Sequence, residues 1–313
     1  MAHGRALRVL VLLIAVAGPA AGAPSDVAAL PAAPADSSLR LAWQIALDRE
    51  GFSPGLIDGN PGKKTAMATA EFQRSRGLTA TGTLDDATAA SLGVNPAAAL
   101  ASYTVTASDL EQVGSVPRSW SAKSRLSRLG YESLDWVLAE KFHCTRALLA
   151  SLNRAKTIGS LKPGDTITVP ATGQPNMRQA DRLEISLGEK AIRAYSGQTC
   201  VGLFHCSIAA SPSKRPIGAT RVAWITENPS YMFDPAMYPE AREKSKLLIP
   251  PGPRNPVGLC WIGLARSGYG IHGTPNPELI GKTGSHGCFR LANWDAIRLG
   301  RMLRAGAAVQ VNP

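Results

Sequence analysis

At 313 residues the chain is long enough for two or three domains, and an apolar fraction of 44% suits ordinary globular cores while excluding a bundle of membrane spans. Sparse aromatics with frequent Gly and Pro point to loop-rich α+β or β domains rather than helical bundles. The formal charge of +11 favours anionic partners such as cell-wall glycans, teichoic acids or lipid headgroups.

In chain order, residues 1–23 read as a signal peptide. Arg5 and Arg8 form a positive start, Val9 to Ala17 a short apolar core, and Ala21-Gly22-Ala23 a small-x-small cleavage site. The apolar run is too short for a permanent anchor, and no cysteine follows it to carry a lipid, so no stable membrane anchor is expected. Export to the periplasm or cell wall argues against a nucleic-acid partner. Residues 24–37, rich in Ala, Pro and Ser, read as a flexible tether.

Residues 38–95 read as a small helical domain. Leu39, Leu41, Ile45 and Leu47 suit one amphipathic helix. After a turn rich in Gly, Pro and Asp, Thr65 is placed to cap a second helix from about Ala66 to Arg76. A turn at Gly82 leads to a short third helix ending at Gly93. Asp58, Gly59 and Gly62 read as turn chemistry, and Phe72 as core. The run Gly51 to Thr65, with Phe72-Gln73, Gly77-Leu78 and Thr81-Gly82, resembles the three-helix peptidoglycan-binding domain appended to wall hydrolases and transpeptidases.

Residues 94–101 read as a second linker, and residues 102–171 as a middle module. Tyr103 to Thr106 alternates like a strand, Ser133 to His143 and Thr145 to Leu152 read as helices, and Gly164 to Pro170 as a closing strand. This β-α-α-β order resembles a LysM carbohydrate-binding module, from which it departs by an insertion between Ser108 and Glu132. Glycan binding and a spacer role both stay open for it.

After a linker at 171–178, residues 179–313 carry short strand-like runs at 183–186, 191–195, 201–208, 222–225, 259–264 and 308–311, with one helix from Asn293 to Leu303. The stretch from Ser230 to Pro253 suggests a lid. The chemistry gathers in GSHGCFRL, Gly284 to Leu291, with His272 sixteen residues before Cys288. An imidazole can take the thiol proton, and the glycine before Cys288 leaves the amides of Gly287 and Cys288 free to meet an oxyanion. That set points to nucleophilic acyl transfer without a cofactor. Zinc held by His272, His286, Cys288 and Cys260 is the competing arrangement, but the spacing is not a finger pattern and no metal is expected.

His272 followed by Ser285-His286-Gly287-Cys288-Phe289-Arg290, with Arg215-Pro216-Ile217-Gly218 and Pro253 to Gly258, closely resembles the L,D-transpeptidase (YkuD) catalytic domain. Arg215 stands where that family usually has Thr. The resemblance implies a multidomain α+β protein whose C-terminal domain is a mostly-β sandwich. It implies Cys288 as nucleophile, His272 as general base, the Gly273 carbonyl orienting its ring, His286 supporting the loop or oxyanion region, and Ser285 and Arg290 meeting substrate. The partners implied are peptidoglycan stem peptides and glycan. The acyl-enzyme is then resolved by a stem amine giving a 3–3 cross-link, by a lysine of a wall-attached protein, or by water, as in an L,D-carboxypeptidase. A non-catalytic wall-binding protein and a thiol hydrolase of other peptides are the alternatives.

The chain has five cysteines, and an odd number in an oxidising compartment leaves at least one thiol unpaired within the chain. Cys200 and Cys206 can bridge only if the segment between them is not extended. Cys144 and Cys260 read as core, Cys260 within a strand leading toward His272.

Overall fold

A carboxylate starts the first helix: Asp36 accepts from the Ser38 amide at 2.8 Å, at the head of α1 (Ser37–Arg49). The computed structural model describes residues 36–173, 176–238, 241–285 and 287–313, so the expected signal peptide and nearly all of the expected tether lie outside the described residues. The apolar spacing of α1 predicts one buried face, yet every residue from Leu41 to Asp48 is buried. Position explains this. Leu41, Ala42 and Ile45 enter a core shared with the middle module, while Trp43, Ala46 and Leu47 enter the core of the N-terminal domain.

α2 (Lys63–Ser75) starts from Gly62, so Thr65 is not its cap; it sits inside the helix, buried, with its hydroxyl 3.4 Å from Gln44 Nε2. α3 (Asp86–Leu92) is capped by Asp85, which accepts from the Thr88 amide at 2.7 Å. Gly82 is dictated by its turn: φ is +72°, and a Cβ there would stand 2.9 Å from the Ala66 carbonyl oxygen. Phe72 is fully buried and meets Phe52 edge-on at 5.5 Å.

In the middle module β1 (Leu100–Thr104) pairs antiparallel with β2 (Thr166–Pro170). Between them run α4 (Ala107–Glu111), α5 (Trp120–Ser124), α6 (Leu134–Lys141) and α7 (Arg146–Leu152). The strand pair with α6 and α7 gives the expected β-α-α-β order, and α4 and α5 occupy the insertion. The expected linkers are not free tethers: Ala99 is buried, and Arg49 Nε donates to the Ala171 carbonyl at 2.7 Å. The middle module is therefore wedged against its neighbours rather than spacing them apart.

The C-terminal domain begins with β3 (Arg182–Ser186), β4 (Ala191–Ser196), β5 (Thr199–His205) and β6 (Gly218–Glu227). A separate hairpin, β7 (Tyr231–Phe233) with β8 (Leu247–Ile249), precedes β9 (Cys260–Leu264), β10 (Gly270–His272), β11 (Phe289–Arg290), α8 (Asn293–Met302) and β12 (Ala308–Asn312). The expected sandwich is instead one eight-stranded sheet ordered β11-β10-β9-β6-β12-β3-β4-β5. It curls because β6 is long. Its first half pairs with β12 and its second with β9, with a bulge between Val222 and Trp224 where the sheet turns. Bridges Ser207–Arg290 and Ala209–Ser285 tie the chain after β5 back to the far edge. Ala296, Leu299 and Met302 of α8 plug the curl against Leu183, Phe204 and Ile262. Cys200 and Cys206 lie along one extended segment, and both are free thiols, as are Cys144 and Cys260. No helix among the described residues is long and apolar enough to cross a membrane.

Candidate active site

Strand alternation sets the site. On β10 Ile271 enters the core, so His272 faces the opposite side. On β11 Phe289 is core, so Cys288 and Arg290 flank it on that same side. β10 and β11 run parallel with His272 opposite Arg290, which brings the cysteine beside the histidine strand despite the intervening loop. Lys64 and Lys190 fasten that loop from outside, donating to the carbonyls of Ile280 and Gly281 at 2.9 Å each.

His272 and Cys288 line one cleft of about 420 Å³. His272 Nδ1 lies 2.6 Å from the Gly273 carbonyl oxygen, as expected for that glycine. A carbonyl only accepts, so Nδ1 carries the proton and Nε2 keeps its lone pair. Burial pushes the imidazole down to about 4, so the ring is a neutral base at ordinary pH. Trp261, opposite His272 in the sheet register, stacks on the ring at 5.4 Å and excludes water from one face.

Cys288 is the only partly exposed thiol among the described cysteines. Burial pushes its pKa up, against the opposing pull of a backbone contact at Gly270 and the charge of Arg290. Its thiol hydrogen bond goes to the Gly268 carbonyl at 3.7 Å. The resting groups are thus a thiol and a neutral imidazole rather than a thiolate and an imidazolium.

The remaining expected residues divide. Ser285 borders the cleft, but its hydroxyl is committed to the loop: it donates to the Cys288 carbonyl at 2.5 Å and accepts from the Gly287 amide at 3.2 Å. The hydroxyl thereby braces the turn that carries Cys288. That contact engages the Gly287 amide, while the Cys288 amide has no partner among the described residues. Arg290 faces the cleft and makes no ion pair among the described residues, so its guanidinium is available to a carboxylate. His286 lies outside the described residues. Cys260 faces the core, its sulfur against Gly300, on the opposite side of β9 from the cleft; it cannot complete a zinc set with His272 and Cys288. Arg215 donates to the carbonyls of Ala209 and Ala210, beside the bridge to Ser285, and stiffens the floor under the loop that carries Cys288.

The stretch from Ser230 onward forms one wall of the cleft, where Tyr231, Met232, Met237 and Tyr238 face Cys288. Its partner was hidden in the sequence. Trp120, from the insertion of the middle module, stacks on Phe233 at 4.5 Å and packs against Tyr238 at 5.3 Å. The Ser121 amide donates to Glu243 at 3.1 Å, and the Leu129 amide to the Pro251 carbonyl at 2.9 Å. Trp261 was legible in principle: with Cys260 and Ile262 inward, alternation points it at the cleft.

Comparison with known proteins places these features in families. Residues 180–311 match the family described as "L,D-transpeptidase catalytic domain", and residues 37–92 match "Putative peptidoglycan binding domain". The chain is 27% identical over 182 residues to "Putative L,D-transpeptidase YkuD" of Bacillus licheniformis, covering 58% of this chain and 94% of that one. Among solved structures, the L,D-transpeptidase of Xylanimonas cellulosilytica is 16% identical with a TM-score of 0.36, covering 87% of this chain and 92% of that one. The L,D-transpeptidase LdtMt1, solved in complex with imipenem, is 17% identical with a TM-score of 0.34; the match covers 50% of this chain and 64% of that one, less than two thirds of its length.

Proposed function

The chain carries a catalytic domain of the L,D-transpeptidase family and a peptidoglycan-binding domain, and from that premise we propose that Cys288 takes an acyl group from a tetrapeptide stem of peptidoglycan and passes it to an amine. The observation that carries this is the shared cleft: a partly exposed thiol, a neutral imidazole whose Nε2 has no partner among the described residues, and a guanidinium with no ion pair among them. His272 Nε2 accepts the thiol proton as Sγ attacks the carbonyl of the third, diaminopimelate-type residue. The Cys288 amide steadies the oxyanion. The C–N bond breaks, the imidazolium returns the proton to the leaving D-Ala amine, and a thioester remains. An acceptor amine then attacks the thioester, gives its proton to His272, and releases Cys288 as thiol. Arg290 holds a substrate carboxylate during both steps. A stem amine as acceptor yields a 3–3 cross-link; a protein lysine yields attachment. This chemistry belongs to the periplasm or cell wall. The β-α-α-β order of the middle module supports the LysM reading, with its glycan affinity a matter for sacculus binding by that module.

Incubation with tetrapeptide muropeptides, read by mass spectrometry, tests the proposal. Dimers support it; tripeptide without dimer assigns water as the acceptor; no product from folded protein overturns it. Imipenem, bound in the LdtMt1 structure, serves as an acylation probe and should add its mass at Cys288.

Two further results are expected. The acid limb of Cys288 acylation should fall near pH 4 rather than near 6.5, because the His272 pKa is lowered and the ring stays a free base until the pH drops through about 4. Imipenem acylation rates across pH check this; a limb between 6 and 7 would show a solvated ring. Trp120→Ala should raise KM about fivefold, since a stacked aromatic pair contributes about 1 kcal/mol. The cause is the loss of the ring that props the hairpin over the cleft. The unfolding midpoint should barely move, and an unchanged KM would remove the hairpin from substrate binding.

A further inference from the structure

The carbonyl that orients His272 is itself held in place, and the support leads out of the catalytic domain. Asn293, at the head of α8, is fully buried directly beneath Gly273: a Cβ on Gly273 would stand 2.2 Å from Asn293 Oδ1. Gly258 approaches from the other side, with φ +63° and a would-be Cβ 2.0 Å from the same oxygen. Neither glycine can gain a side chain without displacing Asn293. Asn293 Oδ1 accepts from the Leu259 amide at 3.0 Å. Its Nδ2 donates to the Pro253 carbonyl at 3.3 Å and, more closely, to Glu140 Oε1 at 2.9 Å. Glu140 belongs to α6 of the middle module and is steadied there by the Tyr131 hydroxyl, which donates to the same oxygen at 2.7 Å.

The geometry points to Glu140 as a positioning residue for the catalytic histidine: through Asn293 it fixes the Gly273 carbonyl that holds His272 in the Nδ1–H tautomer. The middle module is then part of the catalytic apparatus. Nothing in a docking role alone asks for this arrangement. A buried carboxylate whose Oε2 has no partner among the described residues is a poor choice for adhesion, because leaving a buried acceptor unpaired costs stability. A hydrogen-bond acceptor of fixed direction is what Asn293 needs, and the aliphatic neighbours of Glu140 on α6 turn instead into the core shared by the middle module and α1.

The inference concerns the same site as the proposed function, so the test has one arm that needs no substrate. In full-length protein with isotope-labelled histidine, nitrogen NMR reports the His272 tautomer and its titration. Wild type should show Nδ1–H and titrate near 4. Glu140→Ala should show mixed tautomers and a titration moved up toward 6.5. Imipenem acylation of that variant should slow by about ten- to hundredfold, an effect typical of losing an outer orienting contact. KM for muropeptides should stay within about twofold of wild type, since Glu140 touches no substrate. Glu140→Gln, which keeps an acceptor oxygen for Asn293, should restore most of the rate. A folded Glu140→Ala protein with wild-type tautomer, titration and rate overturns the inference and leaves Glu140 a docking contact. If Glu140→Ala does not fold, Tyr131→Phe removes only the hydroxyl that steadies Oε1 and must move the titration in the same direction; an unmoved titration there overturns it equally. If wild type shows the expected tautomer but is never acylated, the functional proposal fails while the positioning result stands.

Discussion

Cys288→Ala is expected to abolish acylation, lowering muropeptide turnover by a factor on the order of 10⁴ or more, as removal of an active-site nucleophile does elsewhere. No other described thiol can substitute. Cys144, Cys200, Cys206 and Cys260 are buried, and burial pushes each of them up to about 12. At neutral pH they are neither reachable nor ionised, so iodoacetamide should label Cys288 alone among them. The variant should keep its unfolding midpoint, because the side chain faces a cleft and leaves no core cavity. Cys288→Ser should be nearly as inactive. A base with a pKa near 4 cannot draw a proton from a hydroxyl, whereas a thiol is several units more acidic. Sacculus binding should survive both changes, since the peptidoglycan-binding domain at residues 37–92 lies elsewhere in the chain. Turnover by Cys288→Ala at more than about a hundredth of the wild-type rate would remove the nucleophile from the proposal.

The parts of the site legible in sequence are those set by short-range rules. His272 and Arg290 sit on two adjacent strands, with Gly273 and Cys288 just beyond their ends, and alternation with Ile271 and Phe289 fixes which way they face. The strand starts and the end helix follow from the same periodicity. What stayed hidden has a common cause: periodicity says which face is apolar, not what covers it. α1 reads as amphipathic because its spacing is helical, yet two different cores claim its two sides. Trp120 lies within the insertion, and its partner Phe233 lies more than a hundred residues away. Asn293 and Glu140 are polar, have no period, and meet across 153 residues of sequence. The curl of the sheet depends on the length of β6 and one bulge, which leave no compositional trace. Within the linkers at 94–101 and 171–178, Ala99 is buried and Ala171 accepts from Arg49, because Ala is small enough to pack where helices and strands converge.

Arg298→Ala is expected to cost about 3–5 kcal/mol of stability at neutral pH, the range found when one partner of a buried ion pair is removed. Arg298 on α8 donates to the Asp48 carbonyl at 2.8 Å and stands 3.4 Å from its carboxylate, while His143 of the middle module meets the same carboxylate at 2.9 Å. Three modules thus converge on one buried anion. Burial alone would push Asp48 up, but the charges of Arg298 and His143 outweigh it and hold the carboxyl well below its usual range. Asp295 lies beside this group, and burial first, then the charge of Asp48, raises it to about 6. Without Arg298, Asp48 faces Asp295 with only His143 to balance it. The sign of the pH dependence follows. Stability from Asp48 is present above its unfolded value near 3.8 and is lost as pH falls toward its lower folded value. The gap between wild type and Arg298→Ala should therefore be widest near pH 7 and close as the solution is acidified below about 4, because a protonated Asp48 no longer needs the guanidinium. Denaturant unfolding at both pH values measures it, and the shape of the transition carries a second result. Wild type should unfold in one step, whereas the variant should separate into stages as the N-terminal and middle modules release α8. That release would reach the catalytic centre, since α8 begins with the asparagine beneath Gly273. A loss below about 1 kcal/mol, with one unchanged transition, would show that apolar packing alone joins the modules.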